Sequence, residues 1–98
     1  MCATLSSEMN NPVSKPILLS AHARLQAQRR GAQESEIVDT IRTSAWQPSE
    51  LDRMECRKDF SFNHVWNSKP YKTKQVRPIF TEENNEIVVI TVYVYYFQ

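Results

Sequence analysis

The sequence predicts an α+β domain in which a two-helix hairpin packs on a three- to four-stranded antiparallel sheet. Before residue 44 the apolar residues recur at helical spacing, whereas after residue 53 they alternate with a period of two. A chain of 98 residues has room for one hydrophobic core only. The resulting order, (β)ααβββ, places both helices on one face of the sheet.

The N-terminal segment MCATLSSEMNNPVSKP mixes small polar residues with two prolines. This composition is typical of a disordered or loosely attached tail. We therefore expect a tail over residues 1–16 and a single domain over residues 17–98. Residues 17–19 form either a very short strand or the start of a helix.

The first helix is predicted over residues 21–30. Ser20 is a good N-cap, because its hydroxyl can accept a hydrogen bond from a free backbone amide. Arg29 and Arg30 suit the negative end of the helix dipole. Gly31 is the only glycine of the sequence, and it stands where a helix commonly ends in a residue with positive φ.

A second helix is predicted from about Glu34 to Thr43. Glu34 and Glu36 suit its first turn, and the apolar residues of EIVDTI recur at helical spacing. Because one glycine separates two helices of about ten residues, the pair forms an αα-hairpin. Residues 44–50 form a loop.

Three strands should follow. Side chains alternate over residues 53–60, NHVWNSKP at 63–70 is typical of a turn region, and the second strand covers residues 71–80. The segment EENN makes the next turn, and the third strand covers residues 86–97. Alternate side chains of a strand point to opposite faces of the sheet.

One side of the last strand is aliphatic and should face the helices. Its members are Val88, Ile90, Val92 and Val94. Tyr93 and Tyr95 then project from the opposite face, where aromatic rings could stack on unpaired bases. The alternative is that tyrosines are simply common in strands.

The charge is balanced overall, with 12 basic and 11 acidic residues and a net charge of +1. This balance excludes a strong general attraction to nucleic acid or to anionic membranes. Seven bases and two acids nevertheless fall within residues 53–77. If neighbouring strands pair there, they present a broad cationic face that binds phosphates in a salt-dependent way. The alternative is an ordinary solvated strand face.

The sequence contains no glycine-rich phosphate loop, nucleophile elbow or Cys-x-x-Cys motif. Cys2 and Cys56 lack the spacing of a disulfide framework, and we expect neither a metal nor a cofactor. No signal peptide or membrane span is apparent, so a cytoplasmic location is expected. An enzyme of this composition would use cations, histidine or tyrosine, and metal-independent RNA cleavage fits that inventory because the 2′-hydroxyl supplies the nucleophile.

His22 is the candidate proton-transfer histidine. It lies in the first turn of the first helix, with Arg29 and Arg30 two turns further on, so it could contact a phosphate or move a proton. The alternative is a local hydrogen bond and packing between helix and sheet. Candidate nucleic-acid contacts elsewhere are Arg30, Arg53, Lys72 and Tyr93.

Three segments resemble a family of short uncharacterised bacterial proteins, frequent in cyanobacteria, that is similar to the RelE/ParE toxin superfamily and close to its BrnT branch. They are SAHARLQAQRRG, RKDFSFNHVWNSKPYKTKQVRPIF and EIVVITVYVYYF, and the resemblance spans residues 17–97. It implies a RelE-like fold and a toxin-like, metal-independent endoribonuclease that acts on RNA, including ribosome-bound messenger RNA. It also implies inhibition by a cognate antitoxin protein.

The resemblance further implies a catalytic set. Its members are Arg57, Lys74 and Arg77 as phosphate contacts, with His22 or Tyr95 in proton transfer. Two positions depart from the family pattern, since Ser68 replaces the glycine of an Asn-Gly turn and Gln33 replaces a better helix cap. The alternatives to a toxin are a non-catalytic module that binds nucleic acid or protein, and a homo-oligomer whose sheet edge pairs with itself.

Overall fold

The computed structural model of the protein describes residues 15–98, so residues 1–14 of the predicted tail lie outside the described residues. The elements in chain order are β1 (Ile17–Leu19), α1 (Ala21–Arg30), α2 (Glu34–Thr43), β2 (Gln47–Pro48), a 3-10 turn (Glu50–Asp52), β3 (Met54–Glu55), β4 (Lys58–Trp66), β5 (Lys69–Glu82) and β6 (Ile87–Phe97). Lys15 and Pro16, which were predicted to belong to the tail, contact the sheet. Lys15 forms an ion pair with Glu82 at 3.1 Å, and the Pro16 carbonyl accepts a hydrogen bond from the Ile87 amide.

The strands form one sheet in the order β1-β6-β5-β3-β2, and β4 also pairs with β5. The prediction of an α+β fold with two helices on a sheet is confirmed. The prediction of a purely antiparallel sheet is wrong, because β1 runs parallel to β6. Within residues 15–98 the sheet has six strands instead of three or four, since β2 and β3 have two residues each and are too short to show a period.

The first helix has the predicted bounds because its two caps act locally. The Ser20 hydroxyl accepts a hydrogen bond from the Ala23 amide at 3.0 Å, and Gly31 has φ 84°. The buried face of α1 consists of Ala23 and Ala27, whose small side chains let the helix lie close to the sheet. At the start of α2, the Gln33 amide donates to the carboxylate of Glu36 at 2.9 Å, which satisfies one free amide despite the weak cap residue.

The core lies between the helices and one face of the sheet. Its large, fully buried aliphatic and aromatic side chains are Phe80, Ile37, Ile41, Ile87, Val76, Val89 and Val92. Burying each of these contributes about 1.5–3 kcal/mol relative to leaving it exposed. Trp46 closes one end, with its ring edge-on to Phe80 at 4.9 Å and its indole nitrogen donating to the Ile41 carbonyl.

A bulge in β6 reverses which side chains face the helices. Ile79 pairs with Thr91 and Phe80 pairs with Val89, so Ile90 is an extra residue. The prediction that Val88 and Ile90 face the helices is therefore wrong, and both are only half-buried. Beyond the bulge the prediction holds.

The β4–β5 hairpin is longer than predicted. Residues 63–66, assigned to a turn region, continue β4, and Asn67 and Ser68 alone connect the strands. Their φ angles are 52° and 68°, as expected of a two-residue turn in which both central residues have positive φ. A serine adopts this conformation less readily than a glycine.

Ser68→Gly should therefore raise the free energy of unfolding by about 0.5–1 kcal/mol, because glycine accepts positive φ without steric cost. Urea denaturation measures this as a higher midpoint with an unchanged slope. Lys72→Gly, at an exposed strand position with ordinary φ, is the matched control and should lower stability by about the same amount. A lowered midpoint for Ser68→Gly would show that this turn does not limit stability.

Candidate nucleic-acid interface

The sheet face opposite the helices, termed the open face, carries alternate residues of β5 and β6. Its cross-strand pairs are Thr73–Phe97, Gln75–Tyr95, Arg77–Tyr93 and Ile79–Thr91. Tyr93, Tyr95 and Phe97 are each 38–42% exposed and form an aromatic stripe along β6. The face thus places a row of rings beside the cation of the neighbouring strand.

Arg77 lies at the centre of the open face and is fixed by three hydrogen bonds. Its Nη2 and Nε donate to the two carboxylate oxygens of Glu55 at 2.7 and 3.2 Å, and its Nη1 donates to the Tyr95 hydroxyl at 3.1 Å. The hydrogen bond from Arg77 holds the pKa of Glu55 below its usual value, and Glu55 in turn raises the pKa of Arg77. Arg77 is therefore well positioned, but most of its charge is matched by Glu55.

Tyr93 contacts two guanidinium groups. The Arg77 guanidinium carbon is 5.4 Å from the ring centroid, and that of Arg30 is 4.9 Å away. Arg30 belongs to α1 and reaches around the edge of β6, where its Nη1 donates to the Val92 carbonyl at 2.8 Å. Two cation–π contacts and a backbone anchor hold this ring in place while leaving it accessible.

A groove of about 550 Å³ lies beside Tyr93 on the open face. Arg53 and Arg77 line it together with Ile79, and the 3-10 turn forms its rim. Leu51, in that turn, is 78% exposed and has φ 60°. Left-handed backbone is costly for leucine and commonly marks a functional segment. No periodicity in the sequence predicts this rim.

Arg57 is a third arginine near the groove, besides Arg53 and Arg77. Its side chain is 53% exposed and its Nη2 lies 3.4 Å from Glu55, a longer and weaker contact than that of Arg77. Glu55 itself was not predicted as a site residue. The available signal was its position between Arg53 and Arg57, which alternation places on the same side of the chain.

Three predicted site residues lie elsewhere. Lys74 is buried on the helix side of the sheet, where its Nζ donates to Glu36 at 2.8 Å and to the Gly31 carbonyl at 2.9 Å. The prediction that Lys74 contacts a phosphate on the open face is therefore wrong. Successive strand residues point to opposite faces, so Lys74 lies on the face opposite to that of Gln75 and Arg77. Lys72 is exposed but shares the side of Lys74. His22 is exposed on α1, which packs on the other face, so it neither joins the open face nor packs between helix and sheet.

The open face and its rim are close to charge-balanced, which corrects the expectation of a broad cationic face. Four arginines lie there: Arg30, Arg53, Arg57 and Arg77. Four carboxylates lie on the same strands and rim: Glu50, Asp52, Glu55 and Asp59. Binding of a nucleic acid would therefore depend on stacking and a few placed cations more than on a long-range positive field.

Within residues 15–98, no group of three or more histidine, cysteine, aspartate or glutamate side chains is arranged to hold a metal ion. No helix in this part of the chain has the length and apolarity needed to span a membrane. Cys56 is buried, and burial raises the pKa of its thiol to about 12. This thiol is therefore protonated and unreactive at neutral pH.

Comparisons with known proteins leave the resemblance untested. No protein-family model, curated protein or solved structure matches the chain. Membership of the RelE/ParE superfamily therefore stays a prediction, and the observations that bear on function are the contacts and shape of the open face.

Proposed function

We propose that the open face binds single-stranded RNA. Unpaired bases stack on Tyr93 and Tyr95, while Arg53 and Arg57 contact phosphates. The observation that carries this proposal is the Tyr93 ring, which is 38% exposed and contacts Arg30 and Arg77 beside a groove that contains a further arginine. Rings backed by guanidinium groups are suited to stacking on bases of any sequence.

The spacing of the stripe also supports an extended single strand as ligand. Side chains two residues apart on a strand lie about 7 Å apart, so Tyr93 and Tyr95 can each stack on a different base. A duplex keeps its bases stacked internally and is recognised mainly through its phosphates, which a nearly charge-balanced face attracts weakly. The resemblance to RNA-cleaving toxins favours RNA over DNA.

Tyr93→Ala should weaken binding of a short fluorescent single-stranded RNA by about 5- to 150-fold, since stacking is worth about 1–3 kcal/mol per base. Arg53→Ala should lower the slope of log affinity against log salt by about 0.7, the value for one phosphate contact on a single strand. Fluorescence anisotropy at several salt concentrations measures both effects.

Lys72→Ala is the matched control, because Lys72 is an exposed cation of the same strand region on the other side of the sheet. It should change the affinity by less than about twofold. Equal losses for Lys72→Ala and Tyr93→Ala would show that the contact is a diffuse charge effect and would exclude the open face as the binding surface.

A second candidate is metal-independent cleavage of the bound RNA by a toxin-like endoribonuclease. The specific observation is the 3.1 Å hydrogen bond between Arg77 and the Tyr95 hydroxyl, which places a proton-carrying group beside a fixed cation. In this reaction the 2′-hydroxyl gives its proton to solvent, its oxygen attacks phosphorus, and the bond from phosphorus to the 5′-oxygen breaks, leaving a cyclic 2′,3′-phosphate and a 5′-hydroxyl. Tyr95 gives its proton to that 5′-oxygen, and Arg77 and Arg57 stabilise the charged phosphorane.

Tyr95→Phe separates the two candidates, because phenylalanine keeps the ring and loses the hydroxyl. In EDTA the wild-type protein should cleave RNA to products that end in a cyclic 2′,3′-phosphate. Tyr95→Phe should bind RNA with nearly wild-type affinity and should not cleave it. A toxin should also arrest growth on expression and be neutralised by an antitoxin protein. If the folded wild-type protein cleaves no RNA in EDTA, the second candidate falls and the first stands.

A further inference from the structure

The outer edge of β6 is the edge that does not pair with β5. Its carbonyls accept hydrogen bonds from side chains at Ile90 and Val92, and the edge is unpaired beyond Val92 within residues 15–98. The Ser20 hydroxyl donates to the Ile90 carbonyl at 3.2 Å, and Arg30 donates to the Val92 carbonyl at 2.8 Å. Backbone groups of alternate residues point to the same edge of an antiparallel strand, so Val94 and Tyr96 point outward next. Among residues 15–98, no strand pairs with this part of the edge.

The open stretch also lacks the features that normally protect an edge strand. Its sequence VYVYYF, residues 92–97, contains no charged residue and no proline. The edge of β4 differs, since it carries Lys58 and Asp59 and is interrupted by a bulge at Asn63, which has φ 52°. The β6 edge is therefore better suited than the β4 edge to accept another strand.

We propose that a second copy of the chain pairs with this edge, β6 antiparallel to β6, about a twofold axis through Tyr95. Val94 then exchanges two backbone hydrogen bonds with the partner's Tyr96, and the symmetric pair adds two more. On the open face, Tyr95 meets its own copy at the axis, and Tyr93 faces the partner's Phe97. Cross-strand aromatic pairs of this kind stabilise sheets.

Two features favour a second copy over another partner. The uncharged segment pairs with itself without like-charge repulsion, and the stripe is aromatic at all three of its positions, so self-pairing matches ring with ring. Arg30 occupies the Val92 carbonyl and so confines the pairing to the residues after Val92, where an axis through Tyr95 matches all three rings of the stripe. Because the interface is small, we expect a reversible dimer in the micromolar range. The dimer would join the open faces of the two copies into one continuous surface.

Symmetric disulfide formation tests this register. Tyr95→Cys, made with Cys2→Ser, should give a covalent dimer under mild oxidation, because residues facing each other across a non-hydrogen-bonded pair lie about 4.5 Å apart, within disulfide range. Gln75→Cys, with Cys2→Ser, lies on the same face one strand inward. It should crosslink about tenfold or more slowly. Equal rates would overturn the proposal.

Sedimentation velocity provides the second readout. The wild-type protein should pass from monomer to dimer across the micromolar range, and Val94→Pro should remain monomeric because proline removes an outward amide without altering the bonds to β5. A wild-type chain that stays monomeric, or a folded Val94→Pro variant that dimerises as well as wild type, would refute the pairing. If Val94→Pro does not fold, the crosslinking rates decide.

Discussion

Gly31→Ala is expected to destabilise the protein by about 2–5 kcal/mol. Left-handed backbone costs a residue with a Cβ about 1–2 kcal/mol, and Gly31 has φ 84°. The added Cβ would also meet the Tyr96 hydroxyl and lie 2.8 Å from the Trp66 ring. Relieving such a clash in a packed region typically costs a further 1–3 kcal/mol or so.

The surroundings of Gly31 cannot move away easily. The Tyr96 hydroxyl donates to the Arg30 carbonyl at 2.6 Å, and the Tyr96 ring stacks on Trp66 with centroids 5.0 Å apart. Lys74 also donates to the Gly31 carbonyl. The helix end, the hairpin and β6 therefore meet at this one residue, and a shift of any of them disturbs the others.

Chemical denaturation measures the loss, and a double-mutant cycle with Tyr96→Phe separates its causes. Removing the hydroxyl nearest the new Cβ should reduce the cost of Gly31→Ala, since neighbouring changes are not additive. A loss below about 0.5 kcal/mol for Gly31→Ala alone would show that the close packing of this region has been overestimated.

Glu55→Gln should cost about 2–3 kcal/mol and should also make stability less sensitive to acid. The Glu55 side chain is 10% exposed and that of Arg77 is 24% exposed, so removing the carboxylate charge leaves a half-buried guanidinium without its counterion. Breaking fully buried pairs costs more, and the partial exposure of Arg77 reduces the penalty here.

The direction of the pH dependence follows from the lowered pKa of Glu55. The carboxylate contributes its full stabilisation above the ordinary pKa of about 4.5, and this contribution disappears as the pH falls through the lower pKa of the folded state. The difference in unfolding free energy between wild type and Glu55→Gln should therefore shrink below about pH 4.5. Glu83→Gln, at an exposed turn position, is the control and should show little such difference. A Glu55→Gln difference that stays constant with pH would contradict the ion-pair account.

The sequence predicted best those features that depend on nearby residues. Ser20 and Gly31 set the bounds of α1 through contacts within a few residues, so the prediction was confirmed at both ends. The bulge at Ile90 and the parallel strand β1 depend on how distant segments align, and local alternation contains no signal for either. The register of β6 was therefore wrong before the bulge and right after it.

In the candidate site, too, the sequence predicted what local alternation determines and missed what depends on contacts between distant segments. Alternation separated Tyr93 and Tyr95 from the aliphatic side of β6, and both lie after the bulge in a regular ladder. It did not assign Arg77 to a face, because neither side of β5 is cleanly apolar in sequence. Lys74 was misassigned because its partner Glu36 lies 38 residues away, so the local sequence does not distinguish a buried cation from an exposed one. Arg30 was predicted as a nucleic-acid contact. Its side chain reaches the edge of β6 only because α1 packs on the sheet, and the local sequence does not show this packing.

The most direct test of the open face is an NMR titration of the isotope-labelled protein with a short single-stranded RNA. We expect saturable chemical-shift changes concentrated at Arg53, Arg77, Tyr93 and Tyr95, with little change along the outer surface of α1 and α2. No saturable change, or changes centred on the helices around His22, would contradict RNA binding by the open face.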